Sequence, residues 1–146
     1  MKIKIAAIAI ATLAIGAGLA YADSALKEQR EAMMKKNGAA MGEMAKIAKG
    51  QAAYDVEVIK ASLATIAQVG KDYPALFPAA DAVVDPEASP KIWENMDDFN
   101  AKSAKMTADA EALMASPPAD AAAVGAALGT LGQSCQSCHE AYRIKS

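Results

Sequence analysis

The chain has 146 residues, a formal net charge of −2 and 53% hydrophobic residues, which is room for one domain with a real core. It has no Lys/Arg cluster, so nucleic acid is a poor candidate partner. Its two cysteines and one histidine are too few for a zinc site built from Cys and His alone.

The first 22 residues, MKIKIAAIAIATLAIGAGLAYA, have a basic start at Lys2 and Lys4, an apolar run from Ile5 and a small-x-small end at Ala20-Tyr21-Ala22. That layout predicts a cleaved signal peptide, hence export, with residues 23–146 as the mature domain. The competing reading is an uncleaved membrane anchor. Cleavage after Ala22 removes Lys2 and Lys4, takes the net charge to −4 and leaves no membrane span.

Four windows of helical periodicity follow, and none has the alternation of a strand. The first, about Ser24 to Lys49, carries Leu26, Arg30, Met33, Met34, Asn37, Met41, Met44 and Ala48 at steps of three and four, with Gly50 as its stop. Gly38 within it costs about 1 kcal/mol relative to alanine, and either admits something bulky or is tolerated. The second, about Ala53 to Val69, buries Val56, Ile59, Leu63 and Ile66 and is expected to end before Gly70. A Pro-containing loop leads to Ser89-Pro90, read as N-cap and first turn of a third helix that stops at Pro117-Pro118. Ile92, Met96, Phe99, Met106, Ala110 and Leu113 form its stripe, which the polar Ser103 interrupts. The fourth, about Asp120 to Arg143, has Val124, Leu128, Leu131, Cys135, Cys138 and Tyr142 on one face. Each stripe needs a partner, so the expected fold is all-α, an antiparallel four-helix bundle.

The last helix holds CQSCH, the whole stock of thiol and imidazole. Cys135, Cys138 and His139 at i, i+3 and i+4 project from one face. Zinc would need a fourth ligand of another type. A thioredoxin-like pair belongs at a helix N-terminus in a βαβ setting, whereas this motif lies near a C-terminus. C-x-x-C-H is the signature of covalent haem attachment, with Cys135 and Cys138 as thioether links and His139 as proximal iron ligand. Export agrees, because c-type haem is attached outside the cytoplasm.

With REAMMKKNGAAMGEMAKIAKG on the first helix, LFPA in the loop, SPKIWENMDDFNAK on the third and CQSCHEAYR at the end, the chain resembles a class II c-type cytochrome of the cytochrome c prime family. The resemblance covers essentially all of 23–146. It implies one covalent haem c in the bundle, with the start of the first helix beside the haem-bearing end of the last. Antiparallel packing of those two helices implies the same.

In the low-spin branch of the family a methionine is the sixth iron ligand, and the matching position here is Met34. The bland alternative is packing, as for most of the seven methionines outside the leader. Met33 lies about 100° round the helix, so both cannot face one iron. Met41, further along, is read as core. The resemblance also implies that Arg30 pairs with a haem propionate, with solvated surface as its alternative, and that Glu87 touches the haem through the chain. Arg143 sits by the haem or favours the helix C-terminus. Trp93, Phe99 and Tyr142 belong to the haem-side core.

The functional expectation is a periplasmic monohaem electron carrier rather than an enzyme, working with redox partner proteins. Its alternative is a five-coordinate protein that binds nitric oxide or carbon monoxide at a vacant distal site. The family implies a possible homodimer through the first two helices.

Overall fold

The computed structural model describes residues 15–78 and 85–144. The basic start and most of the apolar run of the leader lie outside the described residues. Among the described residues five α-helices occur in chain order: α1 Ile15–Ala48, α2 Val56–Asp72, α3 Lys91–Glu94, α4 Met96–Ala115 and α5 Ala121–Tyr142. A 3-10 turn, Tyr73–Leu76, extends α2. In the bundle α2 packs between α1 and α4, and α5 closes the ring against the same two helices. Among the described residues no helix is long and apolar enough to cross a membrane.

Local chemistry accounts for most helix ends. Gly50 adopts φ +68 and closes α1, with its N–H on the Ile47 carbonyl and that of Gln51 on Lys46. These are the two bonds of a Schellman stop, and the left-handed residue within it favours glycine. Asp55 caps α2, its Oδ1 accepting from the N–H groups of Glu57 and Val58 at 2.9 and 3.3 Å. Asp120 caps α5 by accepting from Ala123 N at 2.8 Å.

Three boundaries differ from expectation. First, α1 begins at Ile15 and runs through Ala22-Asp23 rather than starting at Ser24. That stretch has three alanines among its nine residues and no proline to break it. Second, α2 continues past Gly70 to Asp72 instead of ending at Val69. Gly70 is a contact glycine: a Cβ there would collide with Thr107 Oγ1 and stand 3.1 Å from the Ser103 carbonyl. Ser103 Oγ donates to the Gly70 carbonyl at 2.7 Å, which explains the polar interruption in the α4 stripe. Gly38, by contrast, is exposed and meets nothing where its Cβ would be.

Third, the expected single helix after Ser89 is two. Ser89 Oγ does accept from Lys91 N at 3.3 Å, but Asn95 leaves helical geometry at φ −137, ψ 49. Its side-chain Nδ2 donates back to the Lys91 carbonyl at 3.2 Å, while its own carbonyl accepts the first bond of α4. Asparagine competes for backbone bonds in this way, so it ends one helix and opens the next.

Two buried clusters make the core. The larger joins all four long helices through Met44, Ile59, Leu63, Ile66, Met106, Ala110, Val124 and Leu131. The smaller is aromatic, with Phe77, Phe99 and Tyr142 beside Leu76 and Ile92. Phe99 stands edge-on to Phe77 and Tyr142, with ring centroids 4.8 and 5.4 Å away. Cys135 packs on the first cluster and Cys138 on the second.

Candidate haem site

A cavity of about 490 Å³ is lined by α1, α4, α5 and the connection from α2 to α3. That is the volume range of a cofactor pocket. Arg30, Met34, Glu87, Cys135, Cys138 and His139, all singled out in the sequence, line it together. Met33 instead packs against both core clusters. Met41 packs on the larger cluster, as expected of core.

On α5 the helical spacing brings both thiols and the imidazole to one wall. The two cysteines are not bonded to each other. Burial pushes the thiols of Cys135 and Cys138 above their ordinary range. Partial burial, helped by the charge of Arg143, pulls His139 below 6.5, which favours the neutral imidazole that a metal requires. Among the described residues no group of three or more His, Cys, Asp or Glu converges as a metal site.

Arg30 is 3% exposed. Its Nε donates to Asp85 Oδ2 at 3.0 Å, its Nη1 donates to the Leu76 carbonyl at 2.9 Å, and its guanidinium carbon lies 5.0 Å from the Phe77 ring centroid. Its Nη2 is buried without a partner. A guanidinium nitrogen buried at a cavity and lacking an acceptor is a place for an anionic oxygen. Apolar walls from Phe77, Ile92, Phe99 and Met106 complete the setting. A flat apolar macrocycle with carboxylate arms, bonded through two thiols, fits this donor set.

Glu87 and Arg143 meet at the cavity, Arg143 Nη2 donating to Glu87 Oε2 at 3.0 Å. The strands of chain around them pair as well: Ala88 and Arg143 form an antiparallel bridge, and Ile144 N donates to the Glu87 carbonyl at 2.8 Å. Arg143 and Ile144 are thus laced to the α2–α3 connection directly after α5. Trp93 stays in the aromatic cluster, its indole N–H donating to the Pro78 carbonyl.

Sequence reasoning missed Asp85, Tyr73 and Phe77. Asp85 lies in the Pro-containing loop with no local pattern to mark it, and only its partner 55 positions away gives it a role. Asn37 stood in the α1 stripe as a polar residue among apolar ones, a signal available in the sequence and left unused. It is 6% exposed and lines the cavity.

The family model described as Cytochrome C' matches residues 25–143. Cytochrome c-556 of Agrobacterium tumefaciens (strain apple 185) is 52% identical over 124 residues, covering 85% of this chain and 98% of the relative. Cytochrome c' of Rhodopseudomonas palustris (strain ATCC BAA-98 / CGA009) is 39% identical over 146 residues, covering 99% of each. A solved structure of cytochrome c' from Rhodopseudomonas palustris superposes with a TM-score of 0.75 at 38% identity, covering 83% of this chain and 97% of that one.

Proposed function

This chain belongs to the cytochrome c′ family, the class II c-type cytochromes, and from that premise we propose that it is an electron carrier whose single haem c is held by Cys135, Cys138, His139 and Met34. The observation that carries the reading is the presence of Met34, from α1, in the same cavity as the CQSCH residues of α5. The haem supplies one-electron chemistry at iron, and the rest is the work of the chain.

Cys135 and Cys138 tether the porphyrin edge, and His139 gives a neutral nitrogen to the iron. Met34 gives a thioether, a soft ligand that favours the ferrous state and raises the potential. With His139 and Met34 both holding the iron, the chain would leave it no open place for a substrate. Arg30 Nη2 receives a propionate, and Glu87 with Arg143 closes the chain over the site. The apolar walls exclude water, which limits reorganisation when charge arrives or leaves. The chain's only imidazole is committed to iron, and no acid–base pair is required, so we read the protein as a carrier rather than an enzyme.

The leader fits export to the periplasm. In support, the cytochrome c-556 relative matches over 124 residues, the length of the segment 23–146. Redox proteins are the partners, and a homodimer through α1 and α2 remains part of the proposal.

The test is the visible spectrum of the reduced, purified holoprotein before and after carbon monoxide. Methionine ligation predicts a sharp low-spin spectrum indifferent to the gas, which becomes responsive in Met34→Ala. A broad high-spin spectrum that shifts at once with carbon monoxide would reduce Met34 to packing and make the protein a gas binder.

A further inference from the structure

Two thioethers line the haem cavity, Met34 on α1 and Met106 on α4, and they are not held alike. Met106 is 8% exposed, and the Asn37 side-chain Nδ2 donates to its sulfur at 3.7 Å. A thioether accepts hydrogen bonds and donates none, so the amide must turn its NH2 toward Met106. The other end of the amide, Asn37 Oδ1, is then buried without a partner. That is a standing cost which a leucine of similar size would not carry, so packing alone does not account for an asparagine here.

The methyl of Met106 is held from the opposite side. Its Cε lies 3.3 Å from the point where a Cβ on Gly70 would stand, so the missing side chain makes the notch it fills. Ser103 and Thr107 keep that notch in place by donating to the carbonyls of Gly70 and Ala67 on α2, at 2.7 and 3.4 Å. Asn37 itself is one turn beyond Met34 on the same face of α1. The helix that presents one thioether to the cavity therefore also engages the other.

We propose that Asn37 decides which methionine the iron takes, by holding the Met106 sulfur on its amide and leaving Met34 as the sixth ligand. The proposal rests on Met34 ligation as read above. Asn37 acts through Met106 and is a positioning residue. Once its amide is removed, only the notch at Gly70 restrains the Met106 side chain, and its thioether can turn into the cavity and compete.

The experiment compares reduced holoproteins by visible spectrum, by the proton resonance of an iron-bound methionine methyl, and by carbon monoxide response. Met34→Ala alone should be high-spin and responsive to the gas. Adding Asn37→Ala, or Asn37→Leu to keep the volume, should restore a low-spin methionine spectrum and reduce the gas response several-fold. A third change, Met106→Leu, should abolish that recovery. The proposal is overturned if both double variants stay as high-spin and gas-responsive as Met34→Ala. A Met34→Ala protein that remains low-spin, and loses that state only with Met106→Leu, would overturn the Met34 reading itself and this proposal with it. In the otherwise unaltered chain, Asn37→Leu should show a second bound-methionine resonance beside that of Met34.

Discussion

Tyr142 donates its hydroxyl hydrogen to Asp98 Oδ2 at 2.6 Å, and so ties the helix carrying the haem motif to the first turn of α4. The ring is buried and stands edge-on to Phe99, while the Asp98 carboxylate is more than half exposed. Tyr142→Phe keeps the ring contact and loses the bond. Because Asp98 regains water, the net cost should be about 1 kcal/mol, that of an ordinary hydrogen bond rather than one to a buried charge. The urea midpoint should fall, and the unfolding free energy drop by that amount, with the haem spectrum unchanged. An unchanged midpoint would mean that the bond only trades for water.

The same tyrosine makes stability depend on alkaline pH. The bond to Asp98, then burial, pushes Tyr142 up from 10.0 to about 12. Burial, partly offset by the charge of Arg30, pushes Tyr73 up to about 12 as well. The folded state therefore keeps its protons where the unfolded chain has lost them. Their contribution is whole below pH 10, declines as pH rises above it, and is spent by about 12. Stability followed by urea across that window should fall, and fall less steeply in Tyr142→Phe. Equal slopes in the two proteins would remove Tyr142 from the account.

Gly70→Ala should destabilise in spite of alanine's better helix propensity. The propensity gain is about 1 kcal/mol. Against it stands a methyl driven onto Thr107 Oγ1 and close to the Ser103 carbonyl, an overpacking of about 1–3 kcal/mol. Thr107→Ala removes the first obstruction, so the double variant should be more stable than the sum of the single changes predicts. Strict additivity would show that α2 and α4 move apart to make room.

These cases show where the sequence was legible. Apolar spacing and Gly50 act within a turn or two of chain, so the helical stripes, the stop after Ala48 and the grouping of CQSCH on one face could be read directly. The second helix, expected from about Ala53, instead starts at Val56 behind the Asp55 cap. Gly70 was read as a stop because a glycine after a periodic run usually is one. Its reason lies across the bundle in Thr107, 37 positions on, and no local pattern carries that. The break at Asn95 depends on which backbone groups its side chain reaches. Among the methionines, periodicity alone could not separate Met34 from Met106, since both lie on helical stripes. The hydrogen bond that Asn37 gives the Met106 sulfur spans 69 positions, and no local pattern carries it.

The buried pair of Arg30 and Asp85, exposed by 3% and 7% at their side chains, gives the sharpest test of what the site is built to hold. Breaking such a pair from one side costs about 3–5 kcal/mol, because the other charge is left without a partner. Arg30→Leu should therefore lower stability by that order, and Arg30→Leu with Asp85→Asn should recover much of the loss. If Nη2 holds a haem propionate, Asp85→Asn alone should be milder, since Arg30 then keeps that anion as well as the Leu76 carbonyl. If Nη2 instead serves no anion, Asp85→Asn strands a buried cation and should cost as much as Arg30→Leu. Denaturation of the three holoproteins under one condition separates these outcomes. The ordering, with Asp85→Asn clearly the less damaging single change, is what haem contact by Arg30 requires.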